Sequence, residues 1–299
     1  MERIVPIGLI QMACGDRVED NLRKAEELIR EAAGRGARII CTQELFKTPY
    51  FCQSVDPGLY GLAETLDEEN LTLRRLSTLA EDLSVVIIAS LYEKRAAGLY
   101  HNTAVVFDAD GAMLGKYRKM HIPDYPYYLE KFYFTPGDLG YRAFKTRYAT
   151  VGVLICWDQW FPEAARLTAM KGAEIIFYPT AIGYAPGEKE KFGDALHDSW
   201  QIVQRGHAVA NACFVAAIDR VGFEKNPEGK GGLDFWGRSF VADPLGTVIQ
   251  EASDHSEEAL VCPIDLGQVA DTRDSLSTFF RDRRPDSYGG LLELFLDED

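Results

Sequence analysis

Three side chains that are far apart in the sequence, Cys156, Glu44 and Lys119, could together carry out acyl transfer without a metal. A thiolate supplies the nucleophile, a carboxylate takes and returns a proton, and an ammonium stabilises an oxyanion. Each lies just past an apolar run that reads as a strand. Cys156 ends the run Val151-Gly152-Val153-Leu154-Ile155, and after a short polar and aromatic turn Pro162 opens a helical pattern. Proline suits the first helical turn because its missing N–H would have no partner there. This predicts a strand-to-helix elbow, with the N–H groups and dipole of the following helix favouring a thiolate. The alternative is a core cysteine capping a buried strand. Glu44 follows the short strand Ala37 to Cys41, where functional groups gather beyond the carboxyl ends of parallel strands. The alternative there is a carboxylate that caps the next turn. Lys119 sits in the basic stretch Lys116 to His121, a pattern that usually marks a solvated face. This one runs into a loop over residues 124–137 that carries Tyr125, Tyr127, Tyr128, Phe132, Tyr133 and Phe134. So many aromatics predict a buried or pocket-lining segment.

The elements that must position these groups come twice. Ile4 to Gln11 reads as a buried strand, Asn21 to Arg35 as an amphipathic helix, and Ala37 to Cys41 as a second strand. Glu64 to Asp82 follows as a helix and Ser84 to Leu91 as a third strand. A hairpin then joins Asn102–Phe107 to Ala112–Lys116 through Asp108-Ala109-Asp110-Gly111. The second half repeats this plan. Val151 to Ile155 answers the opening strand, and Lys171-Gly172-Ala173-Glu174-Ile175-Ile176 echoes Arg35-Gly36-Ala37-Arg38-Ile39-Ile40. A helix from about Asp194 to Asn211 leads to the strand Cys213 to Ile218, and a hairpin joins Arg238–Asp243 to Thr247–Ile249. The expectation is two β-α-β-α-β-β halves in one two-sheet domain over residues 1–299, with Thr180 near the position of Glu44. Residues 275–299 form a tail of different character: charged turns around Arg281 to Gly289, then the apolar Leu291 to Phe295. Such a tail is frayed or docked, and the apolar run favours docking on a neighbouring subunit.

Composition narrows the function classes. The 299 residues are 46% hydrophobic and 26% charged, ordinary for a globular chain. A net charge of -14 opposes nucleic acid and anionic membranes as partners. The six cysteines form no CxxC pair and no zinc spacing, which predicts reduced thiols and no metal. The N-terminal residues lack the plan of a signal peptide and no run is long enough to span a bilayer, so the cytoplasm is the expected compartment.

Taken together, the stretches Gln43-Glu44-Leu45-Phe46, Lys116-Tyr117-Arg118-Lys119 with His121, and Cys156 to Glu163 resemble the nitrilase superfamily, the carbon–nitrogen hydrolases with a Glu-Lys-Cys triad. The similarity extends to Ser239–Pro244 and Arg281–Asp286. It implies an α/β fold, a four-layer α-β-β-α sandwich in homo-oligomers, with no cofactor. It makes Cys156 the nucleophile, Glu44 the general base and Lys119 the oxyanion stabiliser, with the Trp157 N–H completing the oxyanion hole. Glu130 corresponds to a second glutamate near the active site, which positions Lys119 and contacts the leaving amino group. Tyr50-Phe51-Cys52-Gln53, Glu130 to Phe134 and Phe177 to Gly183 further resemble the branch that cleaves carbamoylated diamines. Another amidase of the family, an ω-amidase or an N-carbamoyl amino acid hydrolase, is the nearest alternative, and an inactive oligomeric binding protein the alternative from another class.

The residues themselves argue for a small carbamoylated amine as substrate. No arginine follows Cys156 until Arg166, so nothing near the cysteine is placed to hold a substrate carboxylate. The pocket candidates are aromatic and acidic: Tyr50, Tyr125, Tyr128, Trp157, Trp160, Tyr184, Glu188 and Asp194. A protonated amine gains from aromatic faces and a carboxylate, whereas an anion is repelled. Glu188 or Asp194 is the expected partner of the distal ammonium; alternatively both are solvated loop charges.

Overall fold

The Val- and Ile-rich runs of the sequence are buried on both faces, as the central strands of sheets covered on two sides must be. The computed structural model describes residues 2–276 and 278–297. Its strands are β1 (Ile4–Gln11), β2 (Ile39–Thr42), β3 (Val86–Ala96), β4 (Leu99–Phe107), β5 (Met113–Arg118), β6 (Ala143–Lys145), β7 (Thr150–Val153), β8 (Ile175–Pro179), β9 (Gly183–Tyr184), β10 (Phe214–Ile218), β11 (Val221–Lys225), β12 (Gly232–Trp236), β13 (Phe240–Ala242), β14 (Val248–Glu251) and β15 (Glu258–Asp265). The long helices are α1 (Val18–Gly34), α2 (Leu71–Leu83), α3 (Pro162–Met170) and α4 (Ala195–Asn211).

Two six-stranded sheets form, in the orders β15-β1-β2-β3-β4-β5 and β6-β7-β8-β10-β13-β14. They match position for position. Three central strands are parallel in each, β1-β2-β3 and β7-β8-β10. Each carries an antiparallel strand on one side, β15 or β6, and an antiparallel pair on the other. The expected duplication is therefore present in the topology. Ile7, Ile39, Val86 and Ile88 of one sheet and Val151, Val153, Ile175 and Phe177 of the other share one core. Leu22, Ala25 and Ile29 of α1 and Leu76 of α2 cover the outer face of the first sheet. Ala164, Ala165 and Ala169 of α3 and Trp200 and Ala208 of α4 cover the second. The result is the four-layer α-β-β-α sandwich.

Several boundaries differ from expectation. The helix expected from Glu64 begins only at Leu71, because the Asn70 side chain accepts from the Leu73 N–H at 2.8 Å and caps it there. Glu64 is instead extended beside Glu93 and accepts from Thr72. Strands β6 and β15 and a small sheet in the order β11-β12-β9 lie in stretches without a clear periodic signal. All six cysteines are free thiols. Among the described residues no helix is long and apolar enough to cross a membrane. In the tail, Leu291, Leu292, Leu294, Phe295 and Leu296 are exposed. Ser277, Glu298 and Asp299 of the expected tail lie outside the described residues.

Candidate active site

Glu44, Lys119 and Cys156 each lie within three residues of a strand end, and Glu130 lies in the aromatic loop. Glu44 lies two residues past β2, and its backbone is held from the second half of the molecule. The fully buried Arg220 donates to the carbonyls of Glu44 (2.9 Å), Leu45 (3.2 Å) and Thr48 (2.9 Å). The chain turns sharply here, with Leu45 at φ +49°. Lys119 directly follows β5, where its N–H bonds the Asn102 carbonyl and its carbonyl accepts from Gly137. A Cβ at position 137 would come within 2.1 Å of the Arg118 carbonyl, so this close return of the aromatic loop requires glycine. Glu130 opens a short helical turn, Glu130–Tyr133, within that loop. Cys156 sits at the elbow after β7 at φ +43°, a conformation disfavoured for any residue with a Cβ. A 3-10 turn, Cys156–Trp160, separates it from α3.

These strand ends and the aromatic loop bring Glu44, Lys119, Glu130 and Cys156 together in a buried cluster. The Lys119 ammonium lies 2.8 Å from Glu44 Oε1 and 2.7 Å from Glu130 Oε2, with all three side chains fully buried. Asn102 Nδ2 donates to the same Glu44 oxygen at 2.7 Å, and the Tyr50 hydroxyl to Glu130 Oε1 at 2.6 Å. Among the described residues Glu44 Oε2 has no hydrogen-bond partner. Cys156 Sγ lies 3.9 Å from the Ala181 carbonyl oxygen. Burial disfavours the Lys119 ammonium, but Glu130 and Glu44 outweigh it and hold its pKa well above the ordinary lysine value. Burial pushes Glu130 up to about 7, against the pull of Lys119.

The cysteine corrects one expectation. Burial drives the Cys156 thiol well above its ordinary pKa, Glu44 adds to the rise, and Lys119 opposes it. The helix adds little to lower it, because α3 begins at Pro162, one 3-10 turn away, while the influence of a helix terminus fades within a turn. A buried thiol beside a carboxylate needs that carboxylate to take its proton.

The structure places the expected pocket residues unequally. Tyr50 is bound to Glu130. The Tyr125 ring lies 5.2 Å from Trp157 and 4.8 Å from Tyr128, and Trp160 packs 6.3 Å from Trp157. Tyr128 spends its hydroxyl on the backbone of Gly183, which gives it a bracing role. Glu188 caps its own turn by accepting from the Ala185 N–H at 2.8 Å. Tyr125, raised mainly by burial, also feels Cys156, Glu130 and Glu188, so Glu188 lies within electrostatic reach of the ring that stacks near the elbow. Tyr184 and Asp194 instead line a separate cavity of about 320 Å³ with Lys189, His197, Asp234 and Arg238, and neither Cys156 nor Lys119 reaches its wall. Past Ala181 the chain enters β9, which pairs with β12 and puts Tyr184 on that cavity's wall.

Sequence reasoning missed Asn102, Arg220 and Asp158. The available signal was a polar residue inside an apolar run, as in His101-Asn102-Thr103-Ala104-Val105, since buried polar groups must find partners.

The carbon–nitrogen hydrolase family pattern matches residues 7–274. The chain is 45% identical to the N-carbamoylputrescine amidase of Arabidopsis thaliana, over 98% of this chain and 96% of that protein. It is 40% identical to the citrullinase of Francisella tularensis, over 97% and 99% of the two chains. A solved carbon–nitrogen hydrolase from Helicobacter pylori G27 superposes with a TM-score of 0.93 at 43% identity, covering 98% of this chain and all of that one. With a buried Glu-Lys-Glu cluster at the tips of two duplicated sheets, and a cysteine at the elbow beside it, the chain belongs to the carbon–nitrogen hydrolase family and is a hydrolase of carbon–nitrogen bonds.

Proposed function

We propose that this protein hydrolyses N-carbamoylputrescine to putrescine, ammonia and carbon dioxide, with Cys156 as the covalent nucleophile. The observation that carries the mechanism is the division of labour on Glu44: Oε1 is held by Lys119 and Asn102, while Oε2 is free for a proton. Glu44 takes the thiol proton as sulfur attacks the ureido carbon. Lys119 and the Trp157 N–H stabilise the oxyanion. The C–N bond to the terminal amino group breaks, and ammonia leaves with the proton returned by Glu44. Glu130 keeps Lys119 charged and contacts the departing nitrogen. Water, deprotonated by Glu44, then attacks the thiocarbamate, restores the thiol and releases a carbamic acid that falls to carbon dioxide and the amine. One water is consumed overall: Glu44 relays the thiol proton to the departing ammonia and one proton of the water to sulfur, and the water's other proton leaves in the carbamic acid and passes to the amine as carbon dioxide is lost.

The substrate reading rests on the relatives' names and on the pocket. Tyr125 and Trp157 offer aromatic faces, and Glu188 is the acid assigned to the distal ammonium. Asp194 is not assigned that role, because it faces the cavity of Tyr184 and Lys189. A second reading, citrulline as substrate, is favoured by the citrullinase relative. The same reading takes the protein to be a homo-oligomer, with the exposed Leu291–Leu296 segment covered by a second copy.

The test is ammonia release from N-carbamoylputrescine, N-carbamoyl-β-alanine and citrulline at equal concentration. The first is expected to be strongly preferred, and Glu188→Gln to raise its KM by about tenfold or more, the worth of one charged hydrogen bond. Preference for citrulline, with KM unmoved by Glu188→Gln, would establish the second reading instead.

A further inference from the structure

We propose that Asp158 is the positioning residue that sets the oxyanion lysine against the nucleophile. Its carboxylate is fully buried and accepts four hydrogen bonds, all from the two segments that carry Lys119 and Cys156. Oδ2 accepts from the Ile155 N–H (2.9 Å), one residue before Cys156, and from the Tyr117 hydroxyl (2.7 Å). Oδ1 accepts from the His121 N–H (3.0 Å) and from His121 Nδ1 (2.7 Å). Tyr117 and His121 stand two residues before and two residues after Lys119, so the lysine is gripped on both sides.

The other contacts tie the same two segments. The His121 ring stacks on Phe161 at 3.8 Å with 4° between planes, and Phe161 closes the turn that Cys156 opens. The Asp158 N–H returns a bond to the Ile155 carbonyl, so the elbow is closed on itself around the left-handed Cys156. Burial, followed by the charge of Asp158, keeps the Tyr117 phenol far from ionisation, so it remains a donor to the carboxylate. Charge-assisted bonds of this kind are short and directional. The lysine leaves a strand of the first sheet and the thiol a strand of the second, and nothing in either sheet's own ladder sets the distance between them. A single carboxylate that bonds both segments does. Asp158 touches no reacting atom; it acts through Lys119 and the elbow.

This inference rests on the assignment of Cys156 as nucleophile and Lys119 as oxyanion stabiliser, and is independent of the substrate's distal end. Asp158→Asn keeps the volume but presents an amide N–H₂ to groups that are themselves donors. Displacing a catalytic group by about an ångström costs on the order of 100-fold in turnover. Asp158→Asn is therefore expected to lower kcat by about 100-fold with KM changed less than about threefold. Tyr117→Phe, which removes one donor and keeps the ring, is expected to lower kcat by about tenfold with KM equally unmoved. Asp158→Glu, with the charge but a longer reach, is expected to recover less than a tenth of the wild-type kcat, because the role is one of distance. Alkylation of Cys156 by iodoacetamide, followed on the Cys156 peptide by mass spectrometry, is expected to slow in parallel with kcat. That readout needs no knowledge of the substrate, so a wrong substrate assignment leaves it intact. Full kcat in Tyr117→Phe, or in folded Asp158→Asn, would overturn the proposal. So would a loss confined to KM or to melting temperature. If Asp158→Asn does not fold, Tyr117→Phe decides alone.

Discussion

The two halves of this molecule share one architecture and differ at their strand tips. In the first half, β1 ends in Gln11, whose amide bonds Ser239, Ser253 and Ser256 and serves only to tie the sheets together. The matching strand of the second half, β7, leads into Cys156. In the first half β2 leads to Glu44, whereas in the second β8 leads to Thr180, whose hydroxyl bonds Gln159 and its own chain. The corresponding tips meet: the Glu44 N–H bonds the Thr180 carbonyl at 3.3 Å. Duplication therefore delivers equivalent tips to one place, and their side chains divide into chemistry and bracing. In the proposed mechanism base and ammonium come from one half and the thiol from the other, so on that reading neither half could turn over substrate alone.

The sharpest way to break this comparison is at the tip that carries Cys156, the proposed nucleophile. Cys156→Ala is expected to fold as the wild type does and to lose roughly 10⁴-fold or more in ammonia release, since the proposed mechanism gives the covalent step to Cys156. Substantial turnover in this variant would move the chemistry to another residue. A smaller effect is expected in the frame of the first half. Glu93 is buried there among Arg118, Lys116 and Thr103. Burial opposes its charge, but the hydrogen bonds from Arg118 and Lys116 outweigh that and hold its carboxyl down at about 2. A carboxyl lowered in the fold stabilises above its ordinary pKa, and that stability is lost as pH falls through the lowered value. Glu93→Gln should thus cost about 3–5 kcal/mol near neutrality, the usual penalty for breaking a buried pair. The difference in stability between wild type and variant should shrink below about pH 4.5 and vanish near pH 2. Denaturant unfolding at a series of pH values reads it, and a difference that persists at pH 2 would contradict the ion-pair account. The smallest effect is expected at the bracing tip. Thr180→Val removes a hydroxyl bonded to Gln159 Oε1, which Trp200 Nε1 still satisfies at 2.9 Å. Stability should fall by about 1 kcal/mol with kcat unchanged. A large drop in kcat would mean that the tips are not divided between chemistry and bracing.

Local chemistry made much of this readable in the sequence. The apolar runs with their β-branched residues announce buried strands, Pro162 announces a helix start, and the echo of Arg35–Ile40 in Lys171–Ile176 announces the repeat. These signals depend on neighbours along the chain, and the observed elements follow them within a few residues. Glu44, Lys119 and Cys156 were legible because each is a reactive type directly beyond a strand. Tyr184 and Asp194 show where this reasoning stops. An aromatic and an acidic side chain suited a pocket for a cation by type, but the pairing of β9 with β12 put Tyr184 on another wall, and Asp194 lines the same one.

By itself the sequence determined the periodicities, the repeat and the chemical types at the strand tips, because these depend on residues close together along the chain. Tertiary structure decided the state of those types. Glu130 reaches Lys119 only because the aromatic loop folds back over Gly137. Arg220 fixes the backbone of Glu44 from 176 residues away. Burial raises the pKa of the thiol, and its placement against the lysine is set by a carboxylate bonded to the segments of both. Charges and proton affinities depend on what surrounds a group in space, and the surroundings exist only once both halves have packed.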